Sequence, residues 1–258
     1  FAAGMAAEGA LPVCAIYSTF LQRAYDQIVH DVCLQNLPVV FAIDRAGLVG
    51  DDGATHHGVM DIAYLRSIPG LTMMSPKDLP EMRAMMRFAL EWGRGPVALR
   101  YPRGSGETID SQTAPIHWGQ SETLMHGDDL ALVGFGPMVS VAMEAARILR
   151  DEHGLDVEVV NARWAKPLDT ECLLQLGRRI GKVITLEDGV LAGGFGSAVA
   201  ELYSDSGLKG VDVRRIGLPD HFVEHGPIPT LRKLIGMDAE TVVRLAVEMT
   251  TKDGSKRA

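Results

Sequence analysis

The densest group of chemically active side chains in the sequence lies in residues 44–58, DRAGLVGDDGATHHG. Arg45, Asp52 and His56 are its candidate functional residues, and four glycines in the same segment permit unusual turns. An arginine can bind an anionic group through two hydrogen bonds, while a histidine and a carboxylate can move protons near neutral pH. The composition is typical of a site for an anionic substrate, and equally typical of a solvated surface loop. A metal site is less favoured, because adjacent histidines do not share one helical face.

Three residues outside this segment could complete such a site. Arg103 follows the apolar segment 96–101, a candidate strand, and a second guanidinium at a strand end suits a phosphate or carboxylate. Alone, Arg103 is typical of a charged residue that enters a linker, but together with Arg45 it favours an anion site. Tyr17 and Phe20 lie where a candidate strand meets a helix. Either ring could stack on a heteroaromatic ring, although packing against the helix is favoured by the residues alone.

Glycine-rich turns in the second half of the chain could present backbone N–H groups to a phosphate. Residues 134–136, GFG, follow a candidate strand and open a candidate helix. Val139 replaces the third glycine of the dinucleotide fingerprint, and Asn161 stands where an acidic residue is expected. A tight strand-to-helix turn is therefore favoured over nucleotide binding. Residues 187–189, EDG, end a candidate strand and could form the edge of a site, but an ordinary turn is favoured.

These candidates must be positioned by alternating strands and helices. The predicted strands cover residues 11–17, 38–43, 71–74, 96–101, 129–135, 157–161, 182–186 and 211–216. The predicted helices cover residues 20–35, 59–66, 79–92, 138–153, 170–178, 196–204, 228–234 and 239–249. Because the strands are apolar throughout, the pattern predicts an α/β fold with two parallel-sheet domains. We expect the domains at residues 1–104 and 127–258, joined by a polar linker at 105–126.

Composition excludes several classes of protein. The chain has 258 residues, a net charge of −8 and an isoelectric point near 5.5, so it is a poor candidate for binding nucleic acid. It contains no apolar run of the about 18–20 residues that a membrane helix needs. Three scattered cysteines, Cys14, Cys33 and Cys172, fit a reducing compartment, and we expect a cytoplasmic protein. Because Phe1 falls inside a helical pattern, we expect the chain to be a piece of a longer one.

Five segments together carry a resemblance to a known family. They are YSTFLQRAYDQ at 17–27, DRAG at 44–47, DDGATH at 51–56, RYPRG at 100–104 and EDG at 187–189. In this order the segments resemble the 1-deoxy-D-xylulose-5-phosphate synthase family, whose members are thiamine-diphosphate-dependent, transketolase-like enzymes. The resemblance implies a pyrimidine-binding domain, truncated at its start, at residues 1–104. It implies a transketolase C-terminal domain at residues 127–258.

The resemblance also implies a reaction and its cofactors. Pyruvate and D-glyceraldehyde 3-phosphate would be joined, with loss of CO2, to 1-deoxy-D-xylulose 5-phosphate, a precursor of isoprenoids, thiamine and pyridoxal. Thiamine diphosphate would supply the carbanion chemistry. Phe20 would stack on its aminopyrimidine ring, with Arg23 close by. The Mg2+ ligands are expected on the missing N-terminal portion, since Gly127, Asp128 and Asp129 do not match the family's metal motif.

The family's pattern assigns the remaining candidates to the substrate. Tyr17, Arg45 and Arg103 would hold the phosphate of the acceptor aldehyde. Asp52 and His56 would face the substrate carbons and assist proton transfers as catalytic residues. These implied roles agree with the chemistry of the residue types, because two guanidinium groups suit a phosphate dianion.

The sequence lacks a glutamate that the family needs, and this affects which partners and which alternative functions we expect. The glutamate that activates thiamine in this family would lie upstream of Phe1, and Glu8 does not replace it. We therefore expect the chain to need the missing N-terminal half of the same enzyme, to form a homodimer, and to be inactive alone. The alternatives are a non-catalytic binding or assembly module, a transketolase, and the β subunit of a 2-oxo-acid dehydrogenase.

Overall fold

The computed structural model describes residues 1–104, 108–109 and 113–254. The strands are β1 (Val13–Tyr17), β2 (Val40–Asp44), β3 (Thr72–Met74), β4 (Val97–Arg100), β5 (Glu122–Met125), β6 (Leu130–Gly134), β7 (Val157–Asn161), β8 (Trp164–Lys166), β9 (Lys182–Val190) and β10 (Asp212–Leu218). The helices are α1 (Ala2–Ala7), α2 (Ser18–Leu21), α3 (Tyr25–Gln27), α4 (Asp61–Leu65), α5 (Leu79–Trp92), α6 (Met138–His153), α7 (Thr170–Arg179), α8 (Phe195–Asp205), α9 (Ile228–Leu234) and α10 (Ala239–Gly254).

Two sheets organise the chain. The first has the order β1-β2-β4-β3-β8 and the second the order β10-β9-β6-β7-β5. The pairs within β1-β2-β4-β3 and β10-β9-β6-β7 are parallel, which confirms the predicted α/β class. The two edge strands, β8 and β5, are antiparallel and were not predicted. Strand β8 has three residues and β5 has four, and each pairs with a strand that is distant in the sequence. A local sequence pattern therefore does not predict them.

The edge strands also bear on the predicted division of the chain. β5 lies within the predicted linker, residues 105–126, and pairs with β7. β8 lies in the second half of the sequence but pairs with β3 of the first sheet, where Met74 faces Trp164. The boundaries at residues 1–104 and 127–258 stay a prediction.

Local sequence signals set most element bounds. Asp78 accepts a hydrogen bond from the Glu81 N–H at 3.0 Å and so caps α5, as its position predicts. Helix α6 matches its predicted residues and ends at Gly154, whose φ of +63° suits glycine. The helix predicted at 20–35 is instead α2, a 3₁₀ turn, α3 and a π-helical turn at Ile28–Cys33. The π-helical turn keeps Ile28 and Val32 buried together.

The two halves of the chain share one apolar core. Phe135, beside β6, and Phe195, at the start of α8, stack with ring centroids 5.2 Å apart. Both rings are fully buried in a cluster that also contains Ile43 and Phe41 from the first sheet. A buried Glu81 adds a polar link, because it accepts hydrogen bonds from Arg163 at 2.7 Å and from Asn161 at 2.9 Å. The first and second sheets are therefore fixed against each other.

Candidate active site

The carboxyl ends of β1, β2 and β4 position the candidate site. Tyr17, the last residue of β1, lies opposite Asp44, the last residue of β2. Tyr101 follows β4, and its N–H donates to the Ile43 carbonyl at 3.0 Å. The Tyr101 carbonyl in turn accepts from the Ala46 N–H at 3.0 Å. Because parallel strands end at one edge of the sheet, the segment 44–58 begins directly beside the other candidates.

Arg45 lies against Tyr17 at this edge. Its guanidinium lies 3.9 Å from the centre of the Tyr17 ring, which is a cation–π contact. Its Nη1 donates to Asp44 Oδ2 at 2.6 Å, and its backbone N–H donates to Asp44 Oδ1 at 2.7 Å. The backbone of Arg45 has a φ of +55°, a conformation that ordinary side chains rarely adopt. The Tyr17 ring and the Asp44 carboxylate thus hold the guanidinium in place at the carboxyl ends of the strands.

An aromatic row extends from Tyr17 to His56. The rings of Tyr17 and Phe20 stack with centroids 5.4 Å apart, and the edge of His56 meets Phe20 at 5.5 Å. The His56 Nδ1 lies 2.9 Å from the Thr55 hydroxyl, and the Thr19 hydroxyl donates to the Thr55 carbonyl at 3.1 Å. Phe20 keeps 39% of its surface exposed, so part of its ring is available to a ligand.

Arg103 and Asp52 form an exposed ion pair. Arg103 Nη1 donates to Asp52 Oδ2 at 2.9 Å. Arg45 and Arg103 both line a cavity of about 570 Å³, together with Asp44 and Tyr101. The two arginines, which are distant in the sequence, thus lie around one space at the sheet edge.

Arg23 does not join this group through any polar contact. It lies on the 3₁₀ turn Gln22–Ala24, one turn beyond Phe20, and is exposed. In the part of the chain that the structure describes, its guanidinium makes no hydrogen bond or ion pair. It could therefore approach a ligand stacked on Phe20 only from the solvent side.

His57 is a residue that sequence reasoning missed. It is buried, its Nδ1 accepts from the Val49 N–H at 3.1 Å, and its Nε2 lies 3.2 Å from the Glu224 carbonyl. Nδ1 is therefore the acceptor and Nε2 the donor of a neutral imidazole. The ring ties the segment 44–58 to the second half of the chain. In the sequence the two adjacent histidines look alike. In the structure His57 is buried, whereas His56 is partly exposed.

A buried ion-pair network lies in contact with the segment 44–58. Arg100 Nε donates to Asp61 Oδ2 at 3.0 Å, and Arg100 Nη1 donates to Asp188 Oδ1 at 2.5 Å. Burial raises the pKa of Asp61, although Arg100 opposes this effect. Burial alone would lower the pKa of Arg100, but the two aspartates outweigh it and hold that pKa above its usual range. A side chain on Gly47 would meet Asp188 Oδ2 at 2.3 Å, so the network fixes the start of the segment.

The interpretation of residues 187–189 as an ordinary turn is wrong. All three lie within β9, and Glu187 and Asp188 are buried. Glu187 accepts from the N–H groups of Phe195 at 2.6 Å and Gly196 at 2.8 Å, at the start of α8. Burial raises the pKa of Glu187 to about 7, although these two hydrogen bonds oppose the rise. The strand continues because ion pairing and capping satisfy two carboxylates that the sequence alone suggests should face water.

The described residues contain neither a metal-binding cluster nor a membrane-spanning helix. Among the side chains that the structure describes, in residues 1–104, 108–109 and 113–251, no group of three or more His, Cys, Asp or Glu could hold a metal ion. Each helix in those same ranges is too short or too polar to cross a membrane. The arrangement can therefore offer an aromatic face, a proton-transferring histidine and a cationic cavity, but no ready-made metal cluster among these residues.

Comparison with known proteins gives a consistent result. Residues 1–108 match the family model for the pyrimidine-binding domain of transketolase, and residues 119–242 match the model for the transketolase C-terminal domain. The chain is 58% identical over 241 residues to 1-deoxy-D-xylulose-5-phosphate synthase 1 of Geobacter sulfurreducens, which covers 93% of this chain and 38% of that protein. It is 52% identical over 256 residues to the synthase of Heliobacterium modesticaldum, covering 98% of this chain and 39% of that protein. The chain thus spans well under half the length of the curated relatives that it matches.

Solved structures agree with the sequence matches. A protein described as a split gene transketolase, inactive beta4 tetramer, superimposes with a TM-score of 0.87 at 32% identity, over 96% of this chain and 79% of that one. A transketolase from Leishmania mexicana gives a TM-score of 0.75 over 97% of this chain and 36% of its own length. The second match, at 24% identity, shows the fold alone.

Proposed function

The chain belongs to the transketolase family, and from this premise we propose that it is the pyrimidine-binding and C-terminal portion of a 1-deoxy-D-xylulose-5-phosphate synthase. Such an enzyme joins pyruvate to D-glyceraldehyde 3-phosphate with loss of CO2. The single observation that carries the proposal is that Arg45 lines a cavity together with Arg103 and also lies against Tyr17, where the aromatic row begins. The row suits a heteroaromatic cofactor, and the cavity suits a phosphorylated acceptor.

The cofactor is thiamine diphosphate, which supplies the carbanion chemistry when it is bound. Phe20 stacks on the aminopyrimidine through the part of its ring that is exposed, and Tyr17 supports the ring from its other side. Arg23 approaches the same ring from solvent. The Mg2+ and diphosphate ligands belong to the remaining portion of the enzyme, because residues 127–129, GDD, do not match the family's metal motif.

The acceptor aldehyde is held by its phosphate. Arg45 and Arg103 each have an aspartate partner, at 2.6 and 2.9 Å, so an entering phosphate shares their charge with carboxylates that are already present. This sharing keeps the guanidinium groups ordered before the substrate arrives. Tyr17 keeps Arg45 in place through the cation–π contact.

His56 moves the proton that the reaction needs. The bond between the carboxylate carbon and the keto carbon of pyruvate breaks with loss of CO2, and its electron pair forms the new bond to the aldehyde carbon. The aldehyde oxygen then takes up one proton. His56 Nδ1 is hydrogen bonded to Thr55, which leaves Nε2 to donate toward the acceptor. Asp52, next to Arg103, faces the same substrate carbons.

The proposed partners and location follow the same premise. The chain acts together with the remaining portion of a full-length synthase and in a homodimer, and its three free cysteines fit the cytoplasm. An assembly module without chemistry is the second candidate, because the structural relative with 32% identity is described as an inactive tetramer.

A reconstitution experiment tests the proposal. The 258-residue chain is purified with and without the portion of the Geobacter sulfurreducens synthase that precedes the matched region. Both samples receive thiamine diphosphate, Mg2+, pyruvate and D-glyceraldehyde 3-phosphate. We expect 1-deoxy-D-xylulose 5-phosphate only from the mixture. A stable complex without product favours the assembly module, and turnover of xylulose 5-phosphate in place of pyruvate favours a transketolase.

A further inference from the structure

The cavity of Arg45 and Arg103 has a second wall that comes from the C-terminal half of the chain. Pro137 and Ser140, in the first turn of α6 or just before it, and Arg232 on α9 form this wall. The Ser140 hydroxyl donates to the Pro137 carbonyl at 2.9 Å, so it is satisfied within its own turn. Arg232 is therefore the charged group that this half of the chain contributes to the described lining.

Arg232 differs from the other cations that line the cavity because no described carboxylate is paired with it. Arg45 and Arg103 are each paired with an aspartate, and the Lys77 ammonium is buried against two glutamates at 3.1 and 3.4 Å. With the described side chains, in residues 1–104, 108–109 and 113–251, Arg232 makes no ion pair. Arg232 is half-buried and lines the cavity, so it brings a positive charge there that no described carboxylate compensates.

Helix α9 holds Arg232 in a fixed position relative to the segment 44–58. The preceding residue, Leu231, is buried in the core of the second sheet. Ahead of the helix, the Gly226 N–H donates to the Gly50 carbonyl at 3.3 Å. A side chain on Gly50 would also meet the Gly226 carbonyl at 3.3 Å, so the two backbones are in close contact. The two walls of the cavity are thus tied together.

We propose that Arg232 is a third phosphate-binding arginine, and that the phosphate of the acceptor bridges the two halves of the chain. A phosphate monoester carries three terminal oxygens, which suits three guanidinium groups around one cavity. Arg232 contributes strongly because its charge is not shared with a carboxylate, unlike the charges of Arg45 and Arg103. The inference rests on the proposed function, which assigns the phosphate to those two arginines.

Calorimetric titration of the 258-residue chain with glycerol 3-phosphate tests the proposal. The variants are Arg232→Ala, Arg232→Gln and the matched control Lys233→Ala. Lys233 is the next residue on α9, and its ammonium pairs with Glu240 at 3.1 Å on the exposed side. We expect wild type and the Lys233 variant to bind alike, and both Arg232 variants to bind about tenfold more weakly or worse. Arg45→Ala and Arg103→Ala test the proposed function in the same titration.

The outcomes separate the two proposals. If Arg45→Ala and Arg103→Ala weaken binding while both Arg232 variants bind like wild type, Arg232 has no part in the site and the proposed function stands. If wild type binds no glycerol 3-phosphate, or if the Arg45 and Arg103 variants bind it normally, both proposals fail. Arg232→Gln keeps most of the stem of the side chain, so unchanged binding by this variant at an unchanged melting temperature overturns the role even if Arg232→Ala fails to fold. In the reconstituted enzyme, Arg232→Gln is expected to raise the KM for the phosphorylated aldehyde and leave that for pyruvate unchanged.

Discussion

Gly47 offers a direct test of how the buried network supports the candidate site. Its φ is +77°, and an added Cβ would lie 2.3 Å from Asp188 Oδ2 and 2.9 Å from Asp188 Cγ. Gly47→Ala therefore forces the Asp188 carboxylate away from Arg100, whose Nη1 it accepts at 2.5 Å. Gly70→Ala is a matched control, because Gly70 has a φ of +78° and its nearest neighbour would be 3.9 Å away.

Gly47→Ala and Gly70→Ala both place alanine in a left-handed backbone conformation, but only Gly47→Ala disturbs an ion pair. Placing alanine in a left-handed conformation costs about 1–2 kcal/mol at either position. Only Gly47→Ala also disturbs a buried ion pair, and breaking such a pair costs about 3 kcal/mol or more. We therefore expect Gly47→Ala to lower the free energy of unfolding by about 3 kcal/mol more than Gly70→Ala does.

Urea denaturation of the two variants, of Asp188→Ala and of Gly47→Ala/Asp188→Ala measures this difference. Once the carboxylate is gone, the added methyl group meets no oxygen but still lies 3.2 Å from the Cβ of residue 188, so Gly47→Ala should cost about 3 kcal/mol less in the Asp188→Ala background than in wild type. Equal losses for the two glycine variants, or an equal loss for Gly47→Ala in both backgrounds, would refute the reasoning. Loss of glycerol 3-phosphate binding by Gly47→Ala but not by Gly70→Ala would show that the network also positions Arg45.

Three further outcomes are expected. Because the pKa of Glu187 is raised from 4.5 to about 7, the folded chain binds this proton more tightly than the unfolded chain, and the free energy of unfolding falls as pH rises between those values. The fall is at most about 3 kcal/mol, and denaturation curves across this pH range should lose that slope in Glu187→Gln; an unchanged slope contradicts the assignment. In the reconstituted enzyme, Arg103→Ala should raise the KM for D-glyceraldehyde 3-phosphate far more than that for pyruvate, and equal effects would argue against a phosphate contact. His57→Ala leaves the Val49 N–H and the Glu224 carbonyl without their partner, and should cost about 2 kcal/mol in thermal or urea unfolding, whereas His56→Ala should cost less than 1 kcal/mol.

The sequence by itself determined the alternation of strands and helices and the segments that carry the resemblance. Predominantly apolar runs predict β2, β4, β6 and β7, because most residues that are buried on both faces of a sheet are apolar. Capping by Asp78 involves a hydrogen bond over three residues, so the signal and its effect lie in the same short segment. The candidate site residues Arg45, Asp52 and His56 could likewise be predicted from the sequence, because one short segment contains all three.

Only the tertiary structure decided which charges are buried and which face a ligand. Arg100 and Arg103 stand three positions apart, and the sequence singled out Arg103 alone. Arg100 is buried because its partners Asp61 and Asp188 lie 39 and 88 residues away in the chain. Such pairs form only after distant strands meet, so no local pattern encodes them. Long-range contacts also bring β8 to the first sheet and place Arg232 in the lining of the same cavity as Arg45, so the lining of the cavity is a property of the folded chain.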